Sequence, residues 1–148
     1  MAGRTSIVAL LPSAESVRPC LDCAMAAADG LDAEIAAIHV SFNEKLAWVA
    51  PEELALQHLR NLQEGNPEVR AARTRAAYDA WVAANHPALI PAWKDDEGHV
   101  EALVATDTGG ADLVVMRNPQ RLDGRDAFHS VLFRSRRLLL VAPPQPLF

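Results

Sequence analysis

Ile7-Val8-Ala9-Leu10-Leu11 is an unbroken apolar run, closed by Pro12-Ser13. It lacks the alternation of a strand with one wet face, so it predicts a strand buried on both faces, as in a parallel sheet. Ser16 is the expected N-cap of the helix that follows, which puts Pro19 in the first turn, where a missing N–H costs nothing. Val17, Leu21, Ala24 and Ala28 share one face of that helix, and Asp29-Gly30 stops it. Ala33 to Val40 then reads as a second strand, completing a βαβ unit.

Downstream, Pro51-Glu52-Glu53 opens a helix with Leu54, Leu59 and Leu62 as its apolar positions, and Gly65-Asn66-Pro67 interrupts it. Pro67 suits the first position of a further helix carrying Val69, Ala72, Ala76 and Ala83. Ala88 to Trp93 predicts a third strand, at a sheet edge because Pro91 has no N–H to donate. Asp95 or Asp96 caps a helix with Val100, Leu103 and Val104, which Gly109-Gly110 ends. Asp112 to Met116 is a fourth strand, Asn118 to Gly124 a loop, Asp126 to Ser135 a short helix, and Leu138 to Ala142 a last strand. The expected fold is α/β: one domain over residues 1–148, with an open five-stranded parallel sheet, helices on both faces, and residues 41–85 as a long helical crossover between strands 2 and 3. Ligands of such sheets sit beyond the carboxyl ends of the strands, where the strand order reverses. That rule selects Leu11 to Ser13, His39 to Phe42, Lys94 to Glu97 and Arg117 to Gln120.

Composition agrees with one globular domain: 148 residues, 50% hydrophobic and 22% charged. Much of the apolar share is alanine, which buries little area, so the strands must supply most of the core. No apolar run is long enough to span a membrane. Arg4 ahead of Ile7 to Leu11 has the outline of a secretory leader, but Pro12 ends the run too early. Two cysteines make no disulfide framework, so the expected location is cytoplasmic. The net charge of -5 is uneven, with +4 over residues 117–137 and -9 elsewhere. An acidic body argues against nucleic-acid binding, while the basic quarter can attract a small anion locally.

Several of these segments resemble the universal stress proteins. Ala111-Asp112-Leu113-Val114-Val115-Met116 is similar to that family's fourth strand, and Ala33 to Val40, ending Ile38-His39-Val40, to its second. Val131-Leu132-Phe133 and Leu138-Leu139-Leu140-Val141-Ala142-Pro143 resemble its closing helix and strand. The resemblance spans nearly the whole chain, least so from Ser41 to Asn85, and implies a Rossmann-like domain, usually dimeric, with ATP or AMP bound in some members. ATP-binding members carry G-x2-G-x9-G-[S/T] after strand four, because glycines let backbone N–H groups close on phosphates at a helix N-terminus. Here the glycine positions counted from Met116 are Arg117, Gln120 and Ser130, with Val131 at the hydroxyl position. Counting back from the last strand brings Gly124 and Arg125 near the final pair and restores nothing. Many binders also place an Asp after strand one, where this chain has Leu10-Leu11-Pro12-Ser13.

The resemblance therefore implies a non-catalytic stress-response or regulatory domain with a degenerate nucleotide site. Its crevice would comprise Leu11, Pro12, Ser13, His39, Val40, Met116, Arg117, Gln120, Arg121 and Ser130. The alternative is an adenine-nucleotide sensor in which Arg117 and Arg121 pair with phosphate in place of the glycines. A third reading is thiol redox chemistry at Cys20-Leu21-Asp22-Cys23, with Cys20 near a helix N-terminus. Against it stands the plain reading of two thiols tolerated on a helix, with Cys20 bordering the core.

Asp95-Asp96-Glu97 reads as a helix cap with a negative first turn before it reads as a Mg²⁺ site or a base. His129-Ser130 lacks a nucleophile elbow. Leu46, Trp48, Val49 and Leu54 are expected to pack over the sheet. Leu138, Leu139, Leu140 and Val141 form an apolar edge that a second copy would cover, so a homodimer is expected.

Overall fold

A computed structural model describes residues 3–119 and 122–143. β1 (Thr5–Leu10), β2 (Ala33–Phe42), β3 (Ala92–Gly98), β4 (Leu113–Arg117) and β5 (Leu139–Ala142) form one sheet in the order β3-β2-β1-β4-β5. Every pairing is parallel. The five-stranded open parallel sheet expected from the sequence is present, and β3 and β5 are its edges.

The apolar run of β1 works as two interleaved sets. Ile7, Ala9 and Leu11 face a core shared with α1 (Ala14–Ala28) and α3 (Pro67–Asn85), where Val17, Leu21, Tyr78 and Trp81 pack. Val8 and Leu10 face the opposite core, built with α4 (Val100–Thr108) and α5 (Leu122–Ser130) through Val100, Val104 and Ala127. Side chains alternate across a strand, so a strand buried on both faces must be apolar at every position. Each large aliphatic side chain so buried contributes about 1.5–3 kcal/mol.

Four local expectations are corrected. Helix α1 is capped at Ser13, not Ser16. Ser16 sits in the first turn, its hydroxyl donating to the Ser13 carbonyl at 2.5 Å. Pro19 consequently lies inside the helix, where the Glu15 carbonyl loses its helical donor. The third strand runs from Ala92 to Gly98, so Asp95, Asp96 and Glu97 are strand residues and His99 caps α4. Backbone pairing with β2 overrides the poor strand propensity of these carboxylates, which an edge strand can leave partly solvated. The last helix begins at Leu122 rather than Asp126, takes in Gly124, and ends in a π-helical turn over Val131–Ser135.

The fourth correction concerns the crossover. In α2 (Pro51–Glu64) the buried residues are Gln57 and Arg60, while Leu59 and Leu62 face solvent. In α3 the buried stripe is Arg70, Ala71, Thr74, Tyr78 and Trp81, and Val69, Ala72, Ala76 and Ala83 lie outside it. Leu46 and Trp48 do not pack over the sheet either, being 65% and 87% exposed, whereas Val49 and Leu54 do pack against the core.

Candidate functional site

β1 and β4 lie side by side, but the chain leaves them in opposite directions, to β2 and to β5. Their carboxyl ends therefore diverge and leave a crevice at the switch point. A cavity of about 110 Å³ lies there, with Pro12, Ser13, Arg117 and Gly124 in its walls. The N-terminus of α1 forms one side, where the Ser13 N–H donates to Ser16 Oγ at 3.4 Å. The other side is the start of α5. A Cβ added at Gly124 would lie 3.5 Å from both Pro12 and Pro119, so even a methyl group there would fill the gap between α5 and the β1 turn.

Beside this cavity, α2 delivers a buried polar cluster to the end of β2. Asp123 of α5 is fully buried and accepts hydrogen bonds from the Phe42 N–H and from Gln57 Nε2, each at 3.3 Å. Arg60 Nη1 lies 2.7 Å from Asp123 Oδ2, an ion pair off the hydrogen-bond direction, and Arg60 Nε donates to Glu64 Oε2 at 3.3 Å. A carboxylate this deep is tolerated only because its charge and lone pairs are answered at once.

The residues expected at the crevice divide accordingly. Pro12, Ser13 and Arg117 line it. Leu11, Val40 and Met116 are wholly buried core residues of the strand ends. His39 is also buried, its Nδ1–H donating to the Leu11 carbonyl at 2.6 Å while its ring stacks on Trp93. Ser130 is buried at the far end of α5 and donates to the Glu101 carbonyl at 2.6 Å, tying α5 to α4. Gln120 and Arg121 lie outside the described residues. Sequence reasoning missed Gln57, Arg60 and Arg70, because polar side chains at these positions read as the solvated faces of α2 and α3.

Asp95-Asp96-Glu97 is engaged locally. Asp96 pairs with Lys94 at 3.3 Å, Glu97 accepts from Asn43 Nδ2 at 2.9 Å, and a hydrogen bond from the Asp107 carboxyl holds Asp96 below the usual carboxylate range. Among the described residues, no cluster of His, Cys, Asp and Glu is arranged to hold a metal ion. Cys20 is buried in the core beneath α1, and burial pushes its thiol up to about 12. The helix dipole that would activate a thiol is outweighed there by desolvation.

Many solved structures match this chain, among them the following three, each over nearly its entire length. One is a universal stress protein in complex with cAMP, 19% identical, TM-score 0.52, covering 97% of this chain and 100% of the other. Another is the universal stress protein UspA from Lactobacillus plantarum, 16% identical, TM-score 0.59, with the same coverage. The third is the hypothetical protein MJ0577, 14% identical, TM-score 0.58, covering 95% and 96%. The fold is that of the universal stress proteins. No protein-family model matches the sequence, and no curated protein matches it significantly. Within the universal stress protein fold, this chain's β4 is Leu113–Arg117 and α5 is Leu122–Ser130. Among the described residues no helix is long and apolar enough to cross a membrane.

Proposed function

We propose that this chain is a non-catalytic, universal-stress-protein-like regulatory domain that has lost the glycine loop for ATP. The carrying observation is the size of the switch-point cavity. About 110 Å³ is well below the roughly 300–1,000 Å³ typical of small-molecule sites. Arg117 stands where the first glycine would, and Gly124 is inside a helix. The buried Asp123, Gln57 and Arg60 occupy the space between α2, α5 and the end of β2. The domain acts, on this reading, through its surface, as a cytoplasmic homodimer joined along Leu138, Leu139, Leu140 and Val141. Val141 is exposed on the edge strand β5 and Leu138 immediately before it, which supports that pairing.

Calorimetric titration with ATP and with AMP tests the proposal, the expected result being no binding heat at micromolar to millimolar ligand. Micromolar affinity abolished by Arg117→Ala would overturn it in favour of a nucleotide sensor. That second reading draws on Arg117 in the cavity wall and on the structural neighbour solved with cAMP.

A further inference from the structure

A second cavity, of about 230 Å³, shares Pro12, Ser13 and Glu15 with the first but has its other walls in α2 and α3. Its charged lining is three arginines, Arg60, Arg70 and Arg73, against Glu15 and Glu64. Arg60 is already committed to Asp123 and Glu64. Among the described residues, no hydrogen bond or ion pair joins Arg70 or Arg73 to a carboxylate, though Asp123, Glu64 and Glu68 are near enough to act on Arg70 through space. Arg70 Nη1 donates to Asn61 Oδ1 at 2.7 Å and to the Gly65 carbonyl at 2.6 Å, and Arg73 Nη1 to the Glu64 carbonyl at 2.9 Å. All three acceptors are neutral.

Arg70 is the anomaly. It is 7% exposed, yet its Nε and Nη2 have no acceptor among the described residues. A buried guanidinium with idle donors is costly, and such orphans are commonly completed by an ion or ligand. Burial, reinforced by the like charge of Arg60, pulls its pKa down, and the charges of Asp123, Glu64 and Glu68 only partly oppose that, so an anion on the idle donors would relieve the remainder. The cavity also meets Ser13 and Ala14 at the start of the 15-residue helix α1, where unpaired N–H groups and the helix dipole favour negative charge.

We propose that this cleft binds the phosphate group of a small phosphomonoester, with Arg70 and Arg73 donating to its oxygens and the N-terminus of α1 completing the cradle. Two guanidiniums and a helix end match a dianion with three terminal oxygens better than a lone carboxylate, since each arginine can pair two oxygens. The volume admits a phosphate with a small organic body and falls short of a nucleotide-sized site.

Calorimetry and thermal melts with inorganic phosphate and with methyl phosphate, at constant ionic strength set with chloride, test the site. Wild-type protein should bind both and melt higher with either, the ester at least as tightly as the free ion. Arg73→Gln, at an exposed residue, should weaken binding about tenfold, the loss of one charge-assisted pair. Arg70→Gln should abolish the phosphate-dependent rise in Tm, read against that variant's own melt without phosphate. The proposal is overturned if phosphate does no more than chloride, or if both arginine variants bind as wild type does. It is equally overturned if Arg117→Ala removes binding while Arg73→Gln keeps it, since the anion would then occupy the switch-point cavity. Heat with ATP or AMP that Arg117→Ala removes reads the switch-point cavity, whereas heat that Arg73→Gln removes and Arg117→Ala keeps reads this cleft, so the two proposals fail separately.

Discussion

Asp123 joins three elements through one buried carboxylate, holding Phe42 of β2, Gln57 and Arg60 of α2 from its place on α5. Asp123→Ala would leave the Arg60 charge buried with Glu64 as its remaining partner, and a loss of about 3 kcal/mol is expected in urea denaturation. A loss below about 1 kcal/mol would mean that the pair does not hold α2 in place. Asp126, one turn on, has its carboxyl raised to about 6, by burial first and then by the charges of Glu53, Asp123 and Glu101, with His99 opposing. Its folded pKa lies above the unfolded value of about 3.9, so the folded state binds the proton more tightly. Its contribution to stability is therefore full below about pH 4 and is lost as the pH rises through 6. Asp126→Asn should remove that fall, gaining on wild type between pH 4 and pH 7 by on the order of 1 kcal/mol once solvent screening is allowed for. Cys20, with its thiol near 12, should resist iodoacetamide at pH 8.5 in the native protein while the part-exposed Cys23 reacts. Alkylation of Cys20 at a comparable rate would revive the redox reading.

At the scale of elements, the corner between α2 and α3 matters most for the second cavity. Gly65 has φ 88° and ψ 162°, a region open to glycine alone, and a Cβ there would come within 2.9 Å of Val69 Cγ1. Its carbonyl also accepts from Arg70. Gly65→Ala should cost about 1–3 kcal/mol in thermal or chemical unfolding and weaken phosphate binding with it. Strand β5 is the other exposed element. Among the described residues it pairs only with β4, and it shows Leu140 and Val141 partly to solvent. If a second copy covers that edge, Val141→Lys should convert a dimer to a monomer in light scattering. A wild-type monomer at micromolar concentration would sink the homodimer.

Across the whole molecule, legibility followed the kind of burial. β1, β2, β4 and the inner face of α1 were readable because they are buried against apolar partners, so their periodicity is the fold's own record. The faces of α2 and α3 were not. Their buried sides carry Gln57, Arg60, Arg70 and Thr74, made tolerable by partners as distant as Asp123, while Leu62 is 85% exposed. A rule that turns apolar residues inward rotates such helices the wrong way. β3 was misplaced for a related reason: its charges belong to a strand whose existence depends on β2 beside it.

The sequence alone determined the alternating parallel architecture and which residue types, Arg117, Gln120 and Ser130 among them, follow the fourth strand. Those properties are local, written in runs of apolar residues and in residue types at fixed spacing. Only the tertiary structure decided the size of the switch-point cavity, the burial of Asp123 and the assembly of Arg70 and Arg73 beside α1. Each depends on residues far apart in the chain, and the desolvation that makes them consequential exists only once the chain has closed around them.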